Sequence, residues 1–162
     1  MDKKAIRKEA LQRRDNLSNA EKQKASVILT ERILGHQWYY QSDVILCFAS
    51  YGNEISTEDI LQDALQNGKK LFLPKVVGKS IIFYRISNLS ELESGYKGIL
   101  EPSDKAECYE MSEYDVNKTL LLMPGVAYDR YRHRIGYGGG FYDRFLHDNP
   151  ELQFRSIAVG FR

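Results

Sequence analysis

The segment from Met123 to Leu146, MPGVAYDRYRHRIGYGGGFYDRFL, concentrates the residues of this chain that could do chemistry. Gly136, Gly138, Gly139 and Gly140 leave backbone N–H groups unshielded, so an anion can approach the main chain closely. Arg130, Arg132, Arg134 and Arg144 supply countercharge, and such a run repels itself unless an anion is present. Asp129 and Asp143 are carboxylates of the kind that hold a divalent cation beside a polyphosphate. This combination suits a phosphorylated ligand carried with a metal, and so an ATP-using enzyme. It is neither a P-loop, since no GxxxxGK[ST] is present, nor a dinucleotide fingerprint. A GxGxxG pattern starting at Gly136 would need glycine where Phe141 stands.

Several residues admit two readings. Asp143 near the start of a helix either complements the helix dipole or binds magnesium. Tyr142 either stacks on a flat ligand or packs in the core. Arg144 either joins the phosphate cluster or pairs with an acid such as Asp129. Glu54 is either a solvent-facing loop residue or a carboxylate that accepts hydrogen bonds from an amino-substituted heterocycle. Lys75 is a phosphate ligand or an exposed lysine. Lys3, Lys4, Arg7 and Lys8 form a basic helix face, either solvated or in contact with an anionic partner. Three scattered histidines offer no zinc spacing, and no GxSxG elbow is present.

The elements that must position these groups follow from periodicity. Residues 2–15 predict a basic helix with a narrow apolar stripe at Ile6, Ala10 and Leu11. Ser18 and Glu21 form a capping box for a second helix that ends at Gly35. Val44–Ala49 predicts a buried strand, and Ser56 or Thr57 caps a helix that stops at Gly68. Leu71–Leu73 predicts a second strand, ended by Pro74. Val76–Ile86, broken at Gly78, predicts a hairpin or two short strands, and 87–115 predicts loops and short turns. Thr119–Met123 predicts a third buried strand, followed by the glycine-rich segment and a helix starting near Gly139 or Gly140. Ser156–Gly160 predicts a fourth. Strands alternating with helices imply βαβ units and a mostly parallel sheet, with the ligand outside the strands' carboxyl ends. Residues 50–54, Pro74-Lys75 and 124–140 all fall at such ends.

The composition agrees with one globular domain over residues 1–162: apolar residues make up 43%, charged residues 28%, and the net charge is +1. Bulk charge therefore names no partner. Two distant cysteines, Cys47 and Cys108, predict reduced thiols in the cytoplasm. No apolar stretch approaches the roughly 20 residues of a membrane helix, and the N-terminus lacks the apolar core of a secretory leader.

These segments together resemble the 5-formyltetrahydrofolate cyclo-ligase family, also called 5,10-methenyltetrahydrofolate synthetases. The resemblance runs through KKAIRKEALQRR, the loop Tyr51–Ile55, GKKLFLPKV at 68–76 and GILEP at 98–102. It is most specific in LLMPGVAYDRYRHRIGYGGGFYDRFL at 121–146. It implies a three-layer α/β/α fold similar to sugar-phosphate isomerases and CoA transferases. It also implies conversion of 5-formyltetrahydrofolate, with or without a polyglutamate tail, to 5,10-methenyltetrahydrofolate by MgATP. Neither nucleic acid nor membrane is a partner on this reading, and the chain is a monomer or weak homodimer.

By position, the resemblance puts Lys3, Lys4, Arg7 and the run Arg134, Ile135, Gly136, Tyr137, Gly138, Gly139, Gly140, Phe141 and Tyr142 around ATP. Arg134 and Tyr142 are its catalytic candidates, and Asp143 its magnesium ligand. Ala49, Glu54 and the stretch Tyr137 to Phe141 contact the folate. It further implies a segment beyond Phe161 with a histidine–aspartate pair and a final strand, which this chain lacks. Arg132 stands where the family commonly has glycine. Three other functions compete: a non-catalytic phosphate-ligand or RNA-binding module, a sugar-phosphate isomerase of similar fold, and an inactive short family member.

Overall fold

The computed structural model describes residues 2–161. In chain order the main elements are α1 (Lys3–Asp15), α2 (Asn19–Leu34), α3 (Gln37–Gln41), β1 (Val44–Leu46), α4 (Glu58–Gln66), β2 (Lys70–Val77) and β3 (Ser80–Ile86). Two-residue strands β4 (Glu93–Ser94) and β5 (Leu100–Glu101) follow, then β6 (Thr119–Pro124), β7 (Ala127–Tyr128), β8 (Arg134–Ile135), α5 (Phe141–Asp148) and β9 (Ser156–Val159). The central sheet runs β3-β2-β1-β6-β9, parallel throughout except at the β2–β3 hairpin.

Alternation along the strands sends side chains into two layers. Ile45, Leu71, Leu73, Leu120 and Leu122 face α2, α3 and α4, meeting Ile33, Tyr39, Ile60, Leu61 and Ala64. Val44, Leu46, Phe72, Leu121 and Met123 face the other way, onto Phe145 of α5, Leu152, Tyr109 and Phe83. The expected three-layer α/β arrangement is therefore present. Full burial of Ile45, Leu46, Leu71, Leu120, Leu121 and Leu122 accounts for the near-continuous apolar runs in these strands.

Two boundaries and two small elements differ from expectation. β1 ends at Leu46 rather than Ala49, although Cys47 N–H still donates to the Phe72 carbonyl. β2 does not stop at Pro74. It continues to Val77 as one arm of the hairpin with β3. Pro74 lies opposite Phe83, whose carbonyl accepts from Tyr109 N–H on the far side of β3. That pair therefore exchanges no ladder bonds, and β1 pairs with β2 only from Lys70 to Phe72. The missing proline N–H leaves no acceptor unsatisfied there. The small elements, α3 and the β7–β8 hairpin, carry no periodicity strong enough to predict.

Helix ends follow the sequence closely. The Ser18–Glu21 capping box is present, and Asp2 caps α1 by accepting from Ala5 N–H. Thr57 is the residue before α4, but its hydroxyl turns away to donate to the buried Phe48 carbonyl. Residues 87–115 are loops, 3-10 turns and the minimal β4–β5 pair, as composition suggested.

Candidate active site

The carboxyl ends of β1, β2 and β6 open into a cavity of about 640 Å3. The three loop segments singled out by topology meet there: Phe48–Glu54, Pro74 with Val76, and Pro124 with 134–143. This volume suits a nucleotide-sized ligand. A second cleft of about 700 Å3 adjoins it, and the two share Arg14, Phe48, Glu54, Pro124 and Tyr137.

α1 lies across the cavity mouth. Lys3 and Arg7 line it, being one turn apart on the same helix face. Arg7 Nε donates to the Gly136 carbonyl at 2.7 Å, which ties α1 to the glycine loop. Lys4 is exposed and does not line the cavity. Every residue from Arg134 to Asp143 lines it, as do Ala49 and Glu54. The residues expected to contact nucleotide and folate therefore line one space, with Lys4 outside it.

The glycine loop is built on special backbone. Gly138 has φ +105°, and a Cβ there would sit 3.4 Å from the Arg7 guanidinium carbon. α5 begins immediately after this loop, with Asp143 in its first turn. Asp143 is 80% exposed and pairs through Oδ1 with Arg134 Nη2 at 3.2 Å. Arg134 itself is only 13% exposed. It also donates to the Pro124 carbonyl at 3.0 Å and lies over the Tyr142 ring at 5.6 Å. Tyr142 packs edge-on against Phe83, as the core reading expects, and also lines the cavity. Burial drives its hydroxyl pKa well above the usual value.

Phe141 and Tyr96 meet edge to face at 5.9 Å, and Arg144 lies over Phe141 at 5.2 Å. With the half-exposed Tyr137 they present aromatic surface suited to a flat ring. Glu54 is half-buried, and its Oε1 accepts from Tyr51 N–H at 2.9 Å. Burial raises its pKa, partly offset by the Tyr51 N–H, the Tyr137 hydroxyl and Arg14.

Other basic and acidic candidates are placed elsewhere. Asp129 does not reach the cavity. It sits at the tip of the β7–β8 hairpin, 2.7 Å from His133 Nδ1, and accepts from the Tyr131 and His133 N–H groups. His133 and those N–H groups hold its carboxyl below the usual range. Arg144 does not pair with Asp129 but donates to the Gly139 carbonyl at 2.7 Å. Arg130 and Arg132 are exposed in the hairpin turn and line no part of the cavity. Lys75 points to Glu101 at 3.4 Å rather than into the site.

Sequence reasoning missed two parts of the wall. Arg14 reaches Tyr137, and its spacing from Lys3 and Arg7 on a 3.6-residue helix was the available signal. Residues 96–101 form another side. Glu101 holds them, buried and accepting from the N–H groups of Val76 and Tyr96. Gly95 is required beside it, since a Cβ would lie 2.2 Å from the Glu101 carboxylate.

Among the described residues no cluster of three His, Cys, Asp or Glu side chains could hold a metal. Magnesium needs no such cage. It keeps several waters and takes one or two carboxylates plus phosphate oxygens. Asp143 fits that role, exposed at the cavity with one oxygen left free by Arg134.

The sequence model for the 5-formyltetrahydrofolate cyclo-ligase family matches residues 1–161. The mouse 5-formyltetrahydrofolate cyclo-ligase is 28% identical over 99% of this chain and 82% of its own length. The Escherichia coli K12 enzyme of the same name is 30% identical over 83% of this chain and 74% of its own. The NMR structure of Aquifex aeolicus 5,10-methenyltetrahydrofolate synthetase superposes with a TM-score of 0.79. It is 28% identical and covers 99% of this chain, which spans 78% of it. With the whole described chain inside the family match and the same fold in a solved relative, this protein belongs to the 5-formyltetrahydrofolate cyclo-ligase family, a family of ligases.

Proposed function

We propose that this chain converts 5-formyltetrahydrofolate to 5,10-methenyltetrahydrofolate, using ATP and releasing ADP and phosphate. The observation that carries the proposal is convergence. One cavity is lined by Lys3 and Arg7, the glycine loop, Asp143, aromatic faces and a half-buried carboxylate at Glu54. Phosphate-type and heterocycle-type contacts thus meet in one space, as a reaction between two substrates requires. The family match supports this chemistry over the isomerase and RNA-binding alternatives.

The formamide oxygen of the substrate is a poor leaving group. Transfer of the γ-phosphoryl group onto it forms an O–P bond and releases ADP. N10 then attacks the activated formyl carbon and loses its proton. The C–O bond breaks, and the oxygen leaves within phosphate.

For such a reaction the protein's work is positioning and charge neutralisation. Lys3 and Arg7 face the phosphates, and the loop N–H groups of 136–140 cradle them. Lys4 contributes at longer range from the same helix. Arg134 orients Asp143 and, with Tyr142, forms the wall beside the transferring group. Asp143 would hold magnesium, which when bound neutralises phosphate charge. Glu54 accepts hydrogen bonds from the amino-substituted pterin, Ala49 lines its pocket, and Tyr137 to Phe141 lie between the two substrates.

Cys47 and Cys108 are free thiols, Cys47 buried with its pKa pushed up to about 12, in keeping with a reducing cytoplasm. No helix among the described residues is long and apolar enough to cross a membrane. Mixing the protein with 5-formyltetrahydrofolate and MgATP should generate the near-ultraviolet absorbance of the methenyl product. Omitting either substrate should abolish it. Nucleotide-independent turnover, or none with both present, defeats the proposal.

A further inference from the structure

We propose that Arg14 is a positioning residue for the folate substrate, holding Tyr137 in place where the two cavities meet beside Glu54. The inference rests on the proposed ring closure.

Arg14 sits at the end of α1 and is 18% exposed, against 78% for its neighbour Arg13. Its Nη1 donates to the Tyr137 hydroxyl at 2.6 Å, and its guanidinium carbon lies 5.6 Å from the Tyr137 ring centre. This bond spans the chain from residue 14 to residue 137, so it fixes the glycine loop's one large side chain from the opposite wall. The next residue repeats the strategy. Asp15 Oδ1 accepts from Asn53 Nδ2 at 2.9 Å, and Asn53 Oδ1 accepts from Lys22 Nζ at 2.8 Å. The end of α1 therefore clamps both the 51–54 loop and the 136–140 loop.

The clamp also sets the electrostatics of Glu54. The groups that bear on it are the Tyr51 N–H from its own loop, Arg14 from α1, and Tyr137 from the glycine loop. Tyr128 of β7 and Tyr142 of α5 lie close enough for its charge to act on them. Arg134 acts on Tyr128 and Tyr142, and Arg7 is engaged with Gly136. Arg14 is thus the cation that favours the ionised, hydrogen-bond-accepting form of Glu54. Its Nε is buried and makes no hydrogen bond, the nearest carboxylate being Asp15 Oδ1 at 3.9 Å, so the guanidinium leaves one donor unbonded in this position.

The test compares wild type with Arg14→Ala, Arg14→Lys and Tyr137→Phe, reading KM for each substrate and the pH profile of kcat/KM for 5-formyltetrahydrofolate. Arg14→Ala should raise the folate KM about tenfold with the MgATP KM within about twofold, the loss expected of one charged hydrogen bond. The acidic limb of the folate profile should move to higher pH. Arg14→Lys should return that limb while leaving the folate KM raised, since it restores charge but not the planar fork. Tyr137→Phe should raise the folate KM without moving the limb as far. Both KM values rising together, or a folate KM unchanged in Arg14→Ala, overturns the inference while leaving the proposed function standing. A wild-type protein that neither binds nor converts 5-formyltetrahydrofolate overturns both.

Discussion

Arg134 Nη2 lies 3.2 Å from Asp143 Oδ1, joining strand β8 to the first turn of α5. The two residues are opposite in exposure, 13% for the arginine and 80% for the aspartate. The arginine is built into the protein and the aspartate is held out toward the cavity. This difference separates their mutational effects.

Asp143→Asn should reduce turnover by roughly 10-fold to 100-fold or more, with the thermal midpoint unchanged. Arg134→Ala should weaken nucleotide use and also cost about 1–3 kcal/mol of stability, because the Pro124 carbonyl and Asp143 lose a donor. Steady-state kinetics beside thermal melts checks both. Equal destabilisation of the two variants would assign Asp143 a structural role.

Glu54→Gln should separate stability from function through pH. Burial holds the Glu54 carboxyl above its ordinary value of 4.5. A group whose folded pKa is raised contributes stability that is full below its unfolded pKa and is lost as pH rises through the folded value. The glutamine variant lacks that loss. Its melting temperature relative to wild type should therefore increase from pH 4.5 upward through the raised value, while its folate KM rises. A difference in melting temperature that stays flat across this range contradicts the assigned burial cost.

Gly138→Ala tests the loop's backbone. At φ +105° a side chain is strained by about 1–3 kcal/mol, and its Cβ would sit in contact with the Arg7 guanidinium. The nucleotide KM should rise more than the folate KM. Equal kinetics in the variant would mean that loop geometry does not set nucleotide binding.

Arg132→Gly should stabilise. Arg132 has φ +71° in the exposed hairpin turn, a conformation that costs a side chain roughly 1–2 kcal/mol. Denaturant titration should show a gain of up to about 1 kcal/mol after glycine's greater unfolded-state freedom is subtracted. Activity should not change, since the residue lies outside the cavity.

Phe83→Ala should cost about 3–5 kcal/mol, because the ring is fully buried between β3 and α5. It also contacts Tyr142, so the melt and the nucleotide KM should worsen together. A destabilised variant with unchanged kinetics would uncouple the core from the site.

The sheet was legible because its inner strands are buried on both faces, which leaves unbroken apolar runs at 44–48, 71–73 and 120–123. Their order then pointed to the strands' carboxyl ends, where the cavity lies. Hydrogen-bond direction was not legible. Whether Pro74 ends a strand depends on which side of it β1 has already stopped, and no local pattern carries that. The same holds for charge partners. Asp129 and Asp143 look alike in sequence, yet one is consumed by His133 in a turn and the other faces the cavity. Arg132, at the position where the resemblance implied glycine, has positive φ, the backbone state that glycine adopts freely. Arg14 escaped notice because its partner lies 123 residues away, on a loop whose path only the fold supplies.

The most direct test follows one atom. 5-Formyltetrahydrofolate labelled with heavy oxygen at the formyl group should be converted with MgATP, and the released phosphate analysed by mass spectrometry. Activation of that oxygen by phosphoryl transfer predicts one labelled oxygen in each phosphate, matched to each methenyl product formed. Label released to water, with unlabelled phosphate, would contradict the account.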